Sequence, residues 1–428
     1  MISVAQLNTN DVSGGAARAA FRLHMGLREV GVDSTMFVRN KSSAEDSVAQ
    51  YRQPSSGIYQ LIRDRILRRW MSHRFSRYQE TRPEGLELFS QARTVDGTRV
   101  VQKIPQADVY NLHWISGFID PLPLFQNTQQ PVVWTLHDMN PFTGGCHYNV
   151  GCRRYESSCG QCPQLGSSKE GDLSREVWNY KQAAYQQAIE SGRLQIVAPS
   201  EWLASEARSS TLFGDASVHV IPYGLDHNTF RPRDTEGTRN ALSIPSDHRI
   251  LLFVADSTRN YRKGFDCLQE ALSGFDQDNV TLVSIGSNEP EVEASTPHIH
   301  LGQISSDTLL SVFYSLADLF VIPSRQDNLP NTVLESMACG TPVVGFDTGG
   351  IPDMVRPGKT GWLAEVENTR ALRSAITEGL SKDAKQNRMG TQCRKVVETE
   401  YTLEIQAERY RELYEQMIGN TTVAMNGK

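Results

Sequence analysis

Two acids, Asp327 and Glu335, stand with seven residues between them in the stretch LADLFVIPSRQDNLPNTVLESMACGTP, Leu316 to Pro342. A carboxylate can accept hydrogen bonds from the hydroxyls of a sugar or a ribose, and the unpaired N–H groups at a helix start suit a phosphate. The elements around the two acids would supply both. Leu319 to Ile322 reads as a buried strand and Ser324 to Asn328 as a polar loop. A helix capped by Asn328 or Asn331 and stopped by Gly340 follows, and Pro342 leads into another strand, Val343 to Phe346. That is one βαβ unit, in which ligands sit where strand becomes helix. Glu335 is expected about two turns into the helix, at ~3.6 residues per turn. On spacing alone the pair reads either as a nucleotide-sugar pocket or as a loop acid and a solvated helix acid.

Cations that could meet such a ligand follow the strand Ile250 to Ala255, in DSTRNYRKG. Arg259, Arg262 and Lys263 can neutralise a diphosphate, and Gly264 lets the chain turn beside it; solvated loop charges are the alternative. Asp276 and Asp278 read as a solvated turn. Near the start of the chain, Ile2 to Leu7 reads as a strand and Ala16 to Val30 as a helix, with Gly14 and Gly15 in the loop between. Paired glycines either let the backbone approach a phosphate or sugar, or only make a tight turn. The loop is not Gly-x-Gly-x-x-Gly, so no nicotinamide or flavin cofactor is expected. His113 and His137 end the strands Asp108 to His113 and Val132 to Leu136, where side chains reach a cleft.

Cys146, Cys152, Cys159 and Cys162 fall within CHYNVGCRRYESSCGQC. The pattern suggests a closed structural zinc site that shapes the loop, with His147 as a substitute ligand; free thiols and disulfides are the alternatives. From Ile58 to Tyr78, Ile58, Ile62, Ile66 and Trp70 recur every fourth residue among Arg63, Arg65, Arg68, Arg69, Arg74 and Arg77, against one acid, Asp64. Such a helix either lies on an anionic membrane or packs its apolar stripe on the core.

The run PSRQDNLPNTVLESMACGTPVVGFDTGGIPDMV resembles the donor-binding segment of the GT-B glycosyltransferases of family 4. TLHDMNPFTGGC, PYGLD, Lys263-Gly264, HLGQISS and Thr360 to Leu363 extend the resemblance from about the first strand to the last helix. It implies two Rossmann-like α/β domains with parallel sheets facing across a cleft. Their expected bounds are 1–226 for the acceptor domain, with a Cys-rich insert at 146–162, and 248–398 for the donor domain. The segment 227–247 between them is expected to be a linker. Residues 399–428 are expected to return to the first domain as a helix, with a disordered tail after Gly419.

The implied activity is retaining transfer of a sugar from a nucleotide diphosphate donor to a growing, lipid-linked glycan, without a catalytic metal. By the resemblance, His137 and Asp327 orient the transferred sugar and Glu335 fixes the ribose. The glycine loop, with Gly14 and Gly15, faces the donor phosphates and the acceptor. Lys263 holds the leaving phosphates, with Arg259 or Arg262 as its partner because Ser257 occupies the usual arginine position. Ile304 packs on the base, and Asn328, Leu329, Asn331 and Thr332 line the distal phosphate. Three departures are plain: Asp327 replaces the commoner glutamate, Tyr223 the usual asparagine, and Pro330 removes one N–H donor. A nucleotide-sugar epimerase or a non-catalytic glycan-binding protein would share the fold.

The chain has 428 residues, with 39% hydrophobic and 21% charged, so more than one core is expected. A formal charge of −6 argues against a general nucleic-acid binder. No apolar run approaches the ~20 residues of a membrane span. The expectation is a bacterial cytoplasmic protein, peripheral on the inner membrane if residues 58–78 touch lipid.

Overall fold

A computed structural model describes residues 1–53, 57–273, 279–292, 296–381 and 384–426, with side chains for all but 384–387 and 420–426. Asp276 and Asp278 lie outside the described residues. The chain divides into two compact units, one of Met1–Pro222 with Gln406–Lys428, the other of Tyr223–Ile405.

The first unit is built on seven strands: β1 (Ser3–Asn10), β2 (Asp33–Asn40), β3 (Val48–Gln50), β4 (Val109–Leu112), β5 (Val132–Thr135), β6 (Leu194–Ala198) and β7 (Ser217–Val220). Their order is β3-β2-β1-β4-β5-β6-β7, and every pairing is parallel. Strands such as VYNL and VVWT are buried along their whole length, as a sheet covered on both faces requires. The helix Leu403–Asn426 belongs to this layer. Its Ala407, Tyr410, Leu413, Tyr414 and Met417 pack on Val4, Leu23, Val109, Val133 and Val197. Both tyrosines are fully buried, and their hydroxyls find partners in Thr135 Oγ1 at 2.9 Å and Asn111 Nδ2 at 2.9 Å. The helix runs on through Asn426, where the sequence suggests a disordered tail after Gly419.

The second unit holds β8 (Arg249–Val254), β9 (Val280–Ile285), β10 (His298–His300), β11 (Leu319–Ile322), β12 (Val343–Phe346) and β13 (Gly361–Ala364), in the order β10-β9-β8-β11-β12-β13. These pairings are also parallel. Segment 227–247, which reads as a linker, is part of this unit. Phe230 is fully buried, Arg233 Nε donates to Ser311 Oγ at 2.9 Å, and Arg394 donates to the carbonyls of His227 and Phe230. Its polar side chains therefore bind the unit and do not tether it loosely.

Candidate active site

In the second sheet the chain order reverses between β8 and β11, so a crevice opens at their carboxyl ends. Lys263 and Arg262 sit in the loop after β8, and Asp327 in the loop after β11. Lys263 Nζ lies 2.6 Å and Arg262 Nη1 3.2 Å from Asp327 Oδ2, and Asn328 N–H donates to Oδ1 at 3.1 Å. Burial would raise the Asp327 pKa, but the charges of Lys263 and Arg262 and these hydrogen bonds outweigh it and hold the carboxyl at about 2. Two cations around one carboxylate leave a net single positive charge at a buried strand end, an electrostatic cradle for an anion. Arg259 is exposed and makes no ion pair among the described residues, so Arg262 is the arginine that joins Lys263.

Backbone geometry locks the two loops together. Gly264 has a φ of +67°, and a Cβ there would lie 1.9 Å from the Pro323 carbonyl oxygen; at Gly349, φ is +57° and the contact is 1.8 Å to the Asp327 carbonyl oxygen. Arg325 N–H donates to Arg262 O at 2.8 Å. The Arg325 side chain bridges Asp266 at 2.6 Å and Glu367 at 2.5 Å and stacks on Tyr261. This clamp escapes the sequence reading, which treats Arg325 as one residue of a polar loop.

Glu335 is 3% exposed on the helix Asn331–Ala338, and Tyr314 O–H donates to its Oε2 at 3.1 Å. It is therefore not a solvated helix acid. The cap residue is Pro330, with no side-chain cap, in place of the expected Asn328 or Asn331. A proline fits because its φ of −65° already suits the helix entry and its missing N–H is one that the first turn leaves unbonded. Glu335 consequently lies about one turn into the helix instead of two. Asn328 and Leu329 are buried ahead of that start, and Asn331 and Thr332 are half-buried in its first turn. Ile304 is half-buried in the loop after β10, on the same sheet edge but two strands from β8.

The remaining candidates belong to the first unit, at the carboxyl ends of β1, β4 and β5. Gly14 adopts φ +92° directly before the helix Gly15–Glu29, and a Cβ at either Gly14 or Gly15 would meet nothing within 4 Å. Steric crowding is thus not the reason for the pair; the positive φ is a reason for Gly14. His137 Nε2 lies 2.9 Å from His113 Nδ1, and His113 Nε2 lies 2.7 Å from Gln6 Oε1. Burial lowers the His137 pKa to about 4 and that of His113 well below its usual value, so both rings are neutral at pH 7. Next to them, Asp138 accepts from Trp114 Nε1 at 3.0 Å and pairs with His147 Nδ1 at 2.7 Å.

His147 is therefore engaged by Asp138 and Ser90 and is not a spare metal ligand. The four cysteines line one small cavity, none bonded to another. Burial raises the thiol pKa of Cys146 and Cys162 and pushes Cys159 up to about 12, which leaves these three protonated. Among the described residues no group of three or more His, Cys, Asp or Glu side chains is placed to hold a metal ion. The zinc reading is thus not carried by this arrangement. The loop is pinned instead by Cys162 N–H to Asp172 at 2.8 Å, Gly160 N–H to Ser174 Oγ at 2.9 Å, and the packing of Cys162 with Leu165, Leu173 and Val177.

Residues 248–382, which hold the whole Lys263–Asp327–Glu335 arrangement, match the family model described as Glycosyl transferases group 1. That segment is of the glycosyl transferases group 1 type. It is 27% identical over 246 residues to the spore coat protein SA of Bacillus subtilis, a match covering 52% of this chain and 65% of that relative, just under two thirds of its length. Among solved structures, sucrose-phosphate synthase from Thermosynechococcus elongatus superposes with a TM-score of 0.68 at 19% identity, covering 98% of this chain and 100% of the other. Anabaena HepE in complex with UDP and glucose gives 0.67 at 14% identity, covering 97% and 100%. These likenesses show the fold, which is GT-B.

Proposed function

We propose that the protein transfers a sugar from a nucleoside diphosphate donor to a growing glycan, with retention of anomeric configuration. The observation that carries the reading is the Lys263–Arg262–Asp327 cluster at the switch point of the second sheet, beside the helix that bears Glu335. Departure of the nucleoside diphosphate is the demanding step, because negative charge grows on the leaving oxygens. Arg262, Lys263 and the first-turn N–H groups of the Asn331 helix would stabilise that charge, and on this reading no divalent ion is needed. Asp327, kept ionised, would accept from hydroxyls of the transferred sugar while its two cations turn to the phosphates. Glu335, buried and held by Tyr314, would accept from the ribose. His137, a neutral ring, is on this reading a further residue that orients the sugar. A nucleotide-sugar donor is favoured by the UDP and glucose bound in HepE, and a lipid-linked glycan is the proposed acceptor class.

The test is proton NMR of uridine and guanosine diphosphate sugars with the enzyme, with and without a panel of glycan acceptors. The proposal expects acceptor-dependent consumption and a product with the anomeric configuration of the donor. Inversion would contradict retention, and conversion of the donor alone would make the protein an epimerase.

A further inference from the structure

Six of the large apolar side chains that the structure leaves exposed lie within thirteen consecutive residues of one helix, Ile58–Ser76. Ile58 is 79% exposed, Tyr59 85%, Leu61 56%, Ile62 54%, Ile66 63% and Trp70 43%. At about 100° per residue, Ile58, Ile62, Ile66, Tyr59 and Trp70 fall on one face spanning roughly 120°, and Asp64 falls opposite its centre. Asp64 is the helix's buried side chain, paired with Arg99 Nη2 at 2.6 Å and Arg63 Nη2 at 3.2 Å. The side that carries Asp64 also carries the half-buried Leu67, Met71 and Phe75, so the helix is held through that side and leaves a second set of apolar side chains turned outward. Its C-terminal end is fastened separately, by Phe75 and Tyr78 against Cys162, Leu165 and Leu173 and by the Arg74–Glu176 pair.

We infer that this face docks on an anionic lipid surface. Charge decides the occupant. Arg63, Arg65 and Arg69 flank or interrupt the apolar face, all exposed, and the one acid of the helix is turned inward and neutralised. A protein partner's apolar groove would have to desolvate these guanidinium groups. At a membrane they stay in the headgroup layer while their methylene stems and the isoleucines reach the acyl boundary. Tyr59 and Trp70 have the amphipathic rings that favour that boundary. No helix of the described residues is long and apolar enough to cross a membrane, so the contact is in the interface plane. The inference does not rest on the proposed chemistry, since the helix lies outside the residues assigned to the donor.

Sedimentation of the full chain with vesicles tests it, using phosphatidylcholine alone and phosphatidylcholine with phosphatidylglycerol. Binding is expected to the anionic vesicles only, weakening with salt. Each of Arg65→Gln and Arg69→Gln should lower the partition about fivefold, and Ile62→Glu with Ile66→Glu should abolish it. These side chains are exposed, so circular dichroism and nucleotide binding should be unchanged in every variant. Absence of binding at low salt, or equal binding to both vesicle types, would overturn the inference. So would self-association in solution that the Ile62→Glu, Ile66→Glu pair dissolves, which would show a second copy of the chain to be the occupant.

Discussion

At the scale of single residues, Asp327 matters for the charge it keeps. An acid in that degree of burial would ordinarily be pushed toward neutrality, and it is the pairing with Lys263 and Arg262 that prevents this. The folded-state pKa of about 2 lies below the usual 3.8, so the pairing contributes stability above about pH 4 that is lost as pH falls toward 2. The contribution is on the order of 2 kcal/mol. Asp327→Asn should therefore be less stable than the wild type near neutrality, and the gap should narrow on acidification through that window. Urea unfolding at a series of pH values checks this, and a gap independent of pH would contradict it. The identity of this carboxylate was legible in the sequence. Which of the nearby arginines serves it was not, because Arg259 and Arg262 differ only in how the turn before Gly264 aims them.

At the scale of elements, the strands were easy to read and the joints between them were not. Runs such as LFVI and VVGF are apolar at every position because both sheet faces are covered, and no other element type so short explains them. The helix entry at Pro330 was misread because asparagine is a strong capping residue and proline forms no cap with a side chain. The Arg325 clamp was missed because its partners Asp266 and Glu367 lie 59 and 42 positions away and only the fold brings them together. The joint between the loops after β8 and β11 is tight enough to test. Gly264→Ala must adopt a left-handed conformation and place a methyl 1.9 Å from the Pro323 carbonyl oxygen. The strained conformation alone costs about 1–3 kcal/mol. A lower melting temperature and weaker nucleotide binding are expected together, and a variant that loses neither would show that the joint is slack.

At the scale of the whole molecule, the sequence shows two sheets and a last helix that returns to the first of them, but not that this helix is fastened through Tyr410 and Tyr414, whose hydroxyls reach Thr135 and Asn111 across about three hundred residues of sequence. Long-range polar matches of that kind leave no local pattern. The first unit also carries three buried neutral histidines. His24, held between Ser34 and Ser47 at 2.8 Å each, is lowered by burial to about 4, as is His137, and His113 lies well below its usual value. The unfolded chain binds protons below about 6.5 and the folded chain does not until about 4, so stability must fall as pH drops through that interval. Each such histidine contributes a slope of up to about 1.4 kcal/mol per pH unit. His24→Gln, which keeps a polar group between the two serines, should flatten that slope, and an unchanged slope would contradict the account. Nucleotide binding by the second unit is best measured by calorimetry with uridine and guanosine diphosphates, on the wild type and on Glu335→Ala. The account predicts that the wild type binds one of the two and that the variant, folded by circular dichroism, binds it more weakly by about 1.5–3 kcal/mol, the value of a hydrogen bond to a charged group. Equal affinity in the two proteins, or no response of the wild type to either nucleotide, would contradict it.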